Sequence, residues 1–184
     1  MGHIALTAHF ERLITGEPNM MTHFKSSISL ACLSTLCLST HAEAQLLTRK
    51  DLSAGIAISI AQTALETCKA NGYNVSATVV GRNGEPVVQI RGDHTGPHTF
   101  ENSLRKAYTA RTFRGPSSDI ETRLKNDPAF PLIHLANVIA NRGGLPIKVG
   151  EDTIGGIGIS GAPGGDKDEA CAKAGIDKVA ELLK

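Results

Sequence analysis

His94 and His98 stand four residues apart in the segment GDHTGPH, residues 92–98, and a run of cations follows: Arg105, Lys106, Arg111 and Arg114. Two imidazoles at that spacing on a helix would share one face and suggest zinc. In a loop of glycine and proline they do not, and only Asp93 and Glu101 stand near enough in sequence to add a third ligand. A turn and a helix cap account for both histidines equally well. The cations can receive a carboxylate-bearing ligand, because guanidinium and ammonium groups pair with carboxylates. A solvated helix face is the alternative. Tyr108 and Phe113 add flat apolar surface beside the charges, so histidine, cation and aromatic ring together fit a planar acidic ligand.

Other motifs carry less. Gly156-x-Gly158 and Gly161-x-x-Gly164 lack the second parallel strand and acidic ribose ligand of a dinucleotide site. Ser160 lies in Gly-Ile-Ser-Gly, outside the G-x-S-x-G nucleophile context. His134, in Pro-Leu-Ile-His-Leu, reads as a packing histidine. An anion at the start of the last helix would meet Asp166 and Asp168.

The chain has 184 residues, 41% hydrophobic, with 19 Lys+Arg against 18 Asp+Glu. That balance excludes bulk electrostatic binding of nucleic acid and a wholly disordered acidic chain. Residues 20–44 read as a secretory leader: Lys25 opens it, ISLACLSTLCL is its short apolar stretch, and Ala42-Glu43-Ala44 is the cleavage site. Met20-Met21 marks the expected start, with residues 1–19 an over-extended reading frame. The expected mature domain, residues 45–184, holds 17 basic and 15 acidic side chains, net +2, with three histidines and two cysteines, Cys68 and Cys171. Export to a periplasmic or extracellular compartment favours a Cys68–Cys171 disulfide. Two buried thiols on helix faces are the alternative.

The elements that position these groups follow from periodicity. Residues 48–71 predict a helix, capped by Thr48 and stopped at Gly72, with Leu52, Ile56, Ile60, Ala64 and Cys68 along one stripe. Val75, Ala77 and Val79 alternate with polar residues, and residues 86–91 form a second strand. Asn83-Gly84 between them predicts a type I′ hairpin. Thr99 is expected to cap a helix over 100–113. A short helix from Ser117 or Ser118 to Lys125 follows. Val138-Ile139 reads as a short strand. Leu145, Ile147 and Val149 form an edge strand containing Pro146. Residues 153–160 form the last strand, with a bulge or close backbone approach at Gly155-Gly156. Asp166 is expected to cap the final helix. The order predicts an α+β fold with one five-stranded antiparallel sheet, its first and last helices packed together on one face.

Arg105-Lys106-Ala107-x-Thr109-Ala110, Gly143-Gly144-Leu145-Pro146, Gly156-x-Gly158-x-Ser160-Gly161 and Asp168-x-x-Cys171-Ala172-x-Ala174-Gly175 occur in this order. Together they resemble the GlcG/HbpS family, which includes the C-terminal module of PduO proteins, over about residues 47–183. The resemblance implies a profilin-like α/β fold, homo-oligomers and non-covalent haem binding. Within it, the axial candidates are His94, His98, His134, Tyr73, Tyr108 and the two cysteines. His98 at a helix start is the first choice for the haem iron, alone or with His94 as a second ligand. Arg105, Lys106, Arg111 and Arg114 are then the propionate-binding candidates, with Tyr108 and Phe113 beside them. No C-x-x-C-H is present, so covalent c-type attachment is excluded.

The leading expectation is a periplasmic, homo-oligomeric haem-binding protein serving haem storage, sensing or handling. A second is an enzyme or binding protein for a small carboxylated metabolite such as a 2-hydroxy acid. A third is a sensor subunit for a membrane receptor.

Overall fold

Ser53 decides where the first helix begins. The computed structural model describes residues 45–184, so the expected leader and the stretch before it lie outside the described residues. Helix α1, Ala54–Ala70, starts after Ser53, whose side chain accepts a hydrogen bond from the Ile56 amide. The expected cap, Thr48, lies upstream of the helix, outside any helix or strand. Strand β1, Ser76–Val80, and strand β2, Pro86–Arg91, form the first hairpin. Its turn is not type I′. Gly84 takes φ +85° and Asn83 stays out of the left-handed region. The Gly84 amide bonds the Gly81 carbonyl and the Gly81 amide bonds the Glu85 carbonyl, at 3.1 and 2.8 Å. This is a three-residue loop with glycine at the left-handed position.

Helix α2, His98–Phe113, is followed by α3, Ser117–Asn126, and a 3-10 turn over Pro131–His134. Strands β3, Gly144–Val149, and β4, Asp152–Ser160, make the second hairpin, and α4, Gly165–Lys178, ends the fold. The sheet has four antiparallel strands in the order β2-β1-β4-β3. This is a mixed α+β fold with helices on both faces of the sheet.

The expected fifth strand is not formed. Val138 and Ile139 lie outside any strand, and one polar group of each is bonded by a side chain of α2. The Val138 carbonyl accepts from Arg105 at 2.9 Å, and the Ile139 amide donates to Thr109 Oγ1 at 2.9 Å. Val138 itself is fully buried. A strand ladder would duplicate bonds that are already made.

The two faces of the sheet are built differently. On one face, Ala77, Val79, Ile154, Ile157 and Ile159 pack against Ala57, Ile60, Ala61 and Ala64 of α1 and Ala172 of α4. A disulfide between Cys68 and Cys171 joins α1 to α4, with Cα atoms 5.6 Å apart across 103 residues of sequence. On the other face, Ser76 and Thr78 of β1 hydrogen-bond Thr99 and Ser103 of α2 at 2.8 and 2.7 Å. Polar residues that alternation would assign to solvent are therefore buried here. Along β4 the contact with α2 is backbone against backbone. A Cβ at Gly158 would sit 2.1 Å from the Ser103 carbonyl oxygen, and one at Gly156 would sit 2.5 Å from that of Ala107. The β4 irregularity falls at Ile154, because Ile147 pairs with Gly155 while Lys148 pairs with Thr153. Gly155-Gly156 thus follows the bulge.

One charged pair links the two helical layers. Lys106 of α2 is buried, and its Nζ donates to Asp168 of α4 at 2.8 Å and to the Ile159 carbonyl at 3.0 Å. The other Asp168 oxygen accepts from the Ala162 amide at 3.0 Å. Burial pushes the Asp168 carboxyl above its ordinary range, against the opposing pull of Lys106. Asp166 does not cap α4; Gly164 occupies that position without a side-chain bond.

Two outcomes are expected. Closing a loop of about 100 residues stabilises by roughly 2–5 kcal/mol, so reduction of Cys68–Cys171 should lower the unfolding free energy by that amount in urea titrations. Lys106→Met should cost about 3–5 kcal/mol at neutral pH, because it leaves a buried carboxylate without its cation. The folded Asp168 carboxyl then lies still further above its unfolded pKa. The deficit is full above the folded pKa and shrinks as pH falls through it. Urea unfolding at pH 7 and pH 5 should show the smaller deficit at pH 5.

Candidate functional site

Helix α2 distributes the candidate residues around its circumference. His98, Glu101, Asn102 and Arg105 recur at three- and four-residue spacing and so share one face. They line an open cleft of about 380 Å³. Pro97 at the helix start explains why α2 begins at His98: its ring sets φ for entry and removes no needed amide. Thr99, the expected cap, is instead buried and bonds back to the Gly96 carbonyl at 2.8 Å.

His98 is exposed, and its ring lies back over Gly96, where an added Cβ would come within 2.8 Å of the imidazole Cε1. Arg105, two turns further along the same helix face, is held by the Val138 carbonyl, with Glu101 at 3.8 Å. Asn102 donates to Ser160 Oγ at 2.9 Å, tying the middle of this face to the end of β4. The cleft therefore pairs one accessible imidazole with one held guanidinium.

The remaining sequence candidates go elsewhere. His94 sits in the preceding loop at φ +60° and does not line the cleft. Among the described residues, no group of three or more histidine, cysteine or acidic side chains is placed to hold a metal ion. Lys106 is withdrawn from any ligand, because its ammonium is spent on Asp168 and the Ile159 carbonyl at 2% side-chain exposure. Tyr108 braces the first hairpin, its Cε2 2.6 Å from where a Gly84 Cβ would stand. Phe113 packs on Phe130 with ring centroids 6.3 Å apart, and Arg123 stacks over Phe130 at 4.1 Å. Tyr73 lines a separate cleft with Leu65, Ile90 and Arg91. His134 is exposed on its 3-10 turn.

Arg111 and Arg114 are 13 and 16 residues beyond His98. At 1.5 Å per residue, Arg111 lies roughly 20 Å along the helix axis from it. These two arginines line a second cleft with Arg49, Arg82, Asn83, Glu151, Asp152 and Thr153. Sequence reasoning missed Arg49, Arg82 and Thr153. Arg82 follows β1 and Thr153 belongs to β4, and only the pairing of those two strands brings both to the end of α2.

The model of the family described as haem degrading protein HbpS-like matches residues 52–177. No match is found among the curated proteins. A crystal structure of HbpS is 36% identical, with 75% of this chain and 94% of that chain covered and a TM-score of 0.69. A double mutant of Streptomyces reticuli HbpS is 35% identical, covering 73% and 90%, with a TM-score of 0.69. A PduOC:heme complex is 23% identical, covering 69% and 94%, with a TM-score of 0.64, and shares the fold. The matched span, the identity to HbpS and the sheet flanked by helices agree, and the chain belongs to the HbpS-like family.

Proposed function

We propose that this chain binds haem non-covalently through the His98 imidazole, as an exported homo-oligomer. The observation that carries the reading is the cleft on α2, which places an accessible histidine beside a fixed arginine on one helix face. Family membership supports the ligand class, since the family is described as haem degrading and HbpS is a solved relative.

The residues present fit the group. His98 would supply one imidazole nitrogen donor at the rim, and Arg105 a cation for a propionate. Arg105 stays in place without ligand because the Val138 carbonyl holds it. Bound haem would supply a redox-active iron and a strong visible absorption. Of the four cations expected to meet propionates, only Arg105 lines this cleft. Lys106 is buried in its ion pair, and Arg111 and Arg114 belong to the far end of α2.

The open shape of the cleft fits closure by a second copy of the chain. The Cys68–Cys171 disulfide fits an oxidising compartment, as export to the periplasm would provide.

Titration of the apo protein with hemin tests the reading. Saturable binding with a shifted Soret band is expected. His98→Ala should weaken it by roughly tenfold or more and change the band position, as loss of a ligand to the iron would. His94→Ala should leave the band where it is. No saturable binding in the wild type, or an unchanged spectrum and affinity in His98→Ala, would overturn the assignment.

A further inference from the structure

The second cleft, at the C-terminal end of α2, is a small cationic chamber of about 300 Å³. Arg82 enters from the β1–β2 turn, Arg111 and Arg114 from the end of α2, and Arg49 from the segment before α1. Two acids line it. Asp152 is committed to Arg82 through two bonds of 2.9 and 2.8 Å, and Glu151 is exposed. Glu85 and Asp51 lie outside the lining and act on the arginines from a distance. Cations therefore outnumber acids at the cleft wall.

Three polar atoms of this lining are buried with no hydrogen-bond partner: Arg82 Nε, Arg111 Nε and Thr153 Oγ1. Thr153 is only 4% exposed. A buried donor left without an acceptor is destabilising, and three such atoms lining one cleft point to a ligand that brings acceptors. Burial and the neighbouring Arg82 and Arg114 cations also depress the Arg111 pKa, so an anion beside Arg111 would relieve a standing repulsion. Guanidinium groups donate only, so the ligand must bring acceptor oxygens and negative charge.

We propose that this cleft binds a small carboxylate anion, held by Arg111, the Nε edge of Arg82 and the Thr153 hydroxyl. A planar carboxylate presents two acceptors that match the guanidinium fork. The volume sits at the lower limit of ligand pockets, roughly 300 Å³, which suits a small ligand. The site is separate from the His98 cleft by most of the length of α2. A carboxylate here binds independently of haem.

Isothermal titration of the purified protein with lactate, malonate and inorganic phosphate, at constant ionic strength, tests this. At least one carboxylate should bind saturably with one site per chain. Thr153→Val and Arg111→Lys should each weaken it by roughly tenfold or more, from loss of bonds to a charged group, while Arg105→Ala leaves it unchanged. Thr153→Val keeps the side-chain shape, so it carries the test if Arg111→Lys does not fold. Absence of saturable binding by both carboxylates, binding of phosphate alone, or unchanged affinity in the variants would overturn the proposal. Hemin titration of Thr153→Val should match the wild type, which separates failure here from failure at His98.

Discussion

The ion pair between Lys106 and Asp168 is the constraint around which the rest is arranged. Its ammonium starts on α2 and reaches α4 past the end of β4, so the helices on opposite faces of the sheet share one electrostatic contact. Space for it is made by small residues: a Cβ at Gly143 would lie 2.9 Å from Lys106 Nζ, and one at Gly144 2.3 Å from the Lys106 carbonyl oxygen. A buried charge is tolerated only when paired and hydrogen-bonded. Here the Ile159 carbonyl and the Ala162 amide complete the set. Fixing Lys106 fixes the rotation of α2, and that rotation turns His98 and Arg105 toward solvent.

The two layers are held by different forces. Apolar packing and a covalent link secure α1 and α4, whereas hydroxyl pairs and backbone contact seat α2. Apolar burial is non-directional. Hydrogen bonds and close backbone approach are directional, and they place the helix that carries both clefts in one register against β1 and β4.

Much of this architecture is legible in the residues, for identifiable reasons. The 3.6-residue stripe of α1 and the alternation around Ala77 and Val79 report one-sided burial, which leaves a periodic trace. Val138-Ile139 misleads because two adjacent β-branched residues look like a strand whether their partners are a neighbouring strand or the side chains of Arg105 and Thr109. The Asn83-Gly84 turn keeps its glycine at positive φ but releases Asn83, since the three-residue loop needs only one such position. Lys106 reads as one cation among four, because nothing local distinguishes an ammonium that will be buried from one that will be solvated. The cationic cleft is illegible for a different reason. Arg82, Arg111 and Thr153 are brought together by strand order, and strand order is not a property of any one segment.

The glycine contact between β4 and α2 separates stability from recognition. Because Gly156 and Gly158 meet main-chain atoms, the seat of the helix asks little of the side chains that α2 turns outward. Positions 98 and 101, which make no bond to the sheet, can therefore be exchanged over evolutionary time while the helix keeps its place, whereas Asn102 and Arg105 stay tied to Ser160 and Val138. One scaffold can thus be retuned from one ligand to another by surface substitutions on a single helix, and its family can diversify in chemistry faster than in shape.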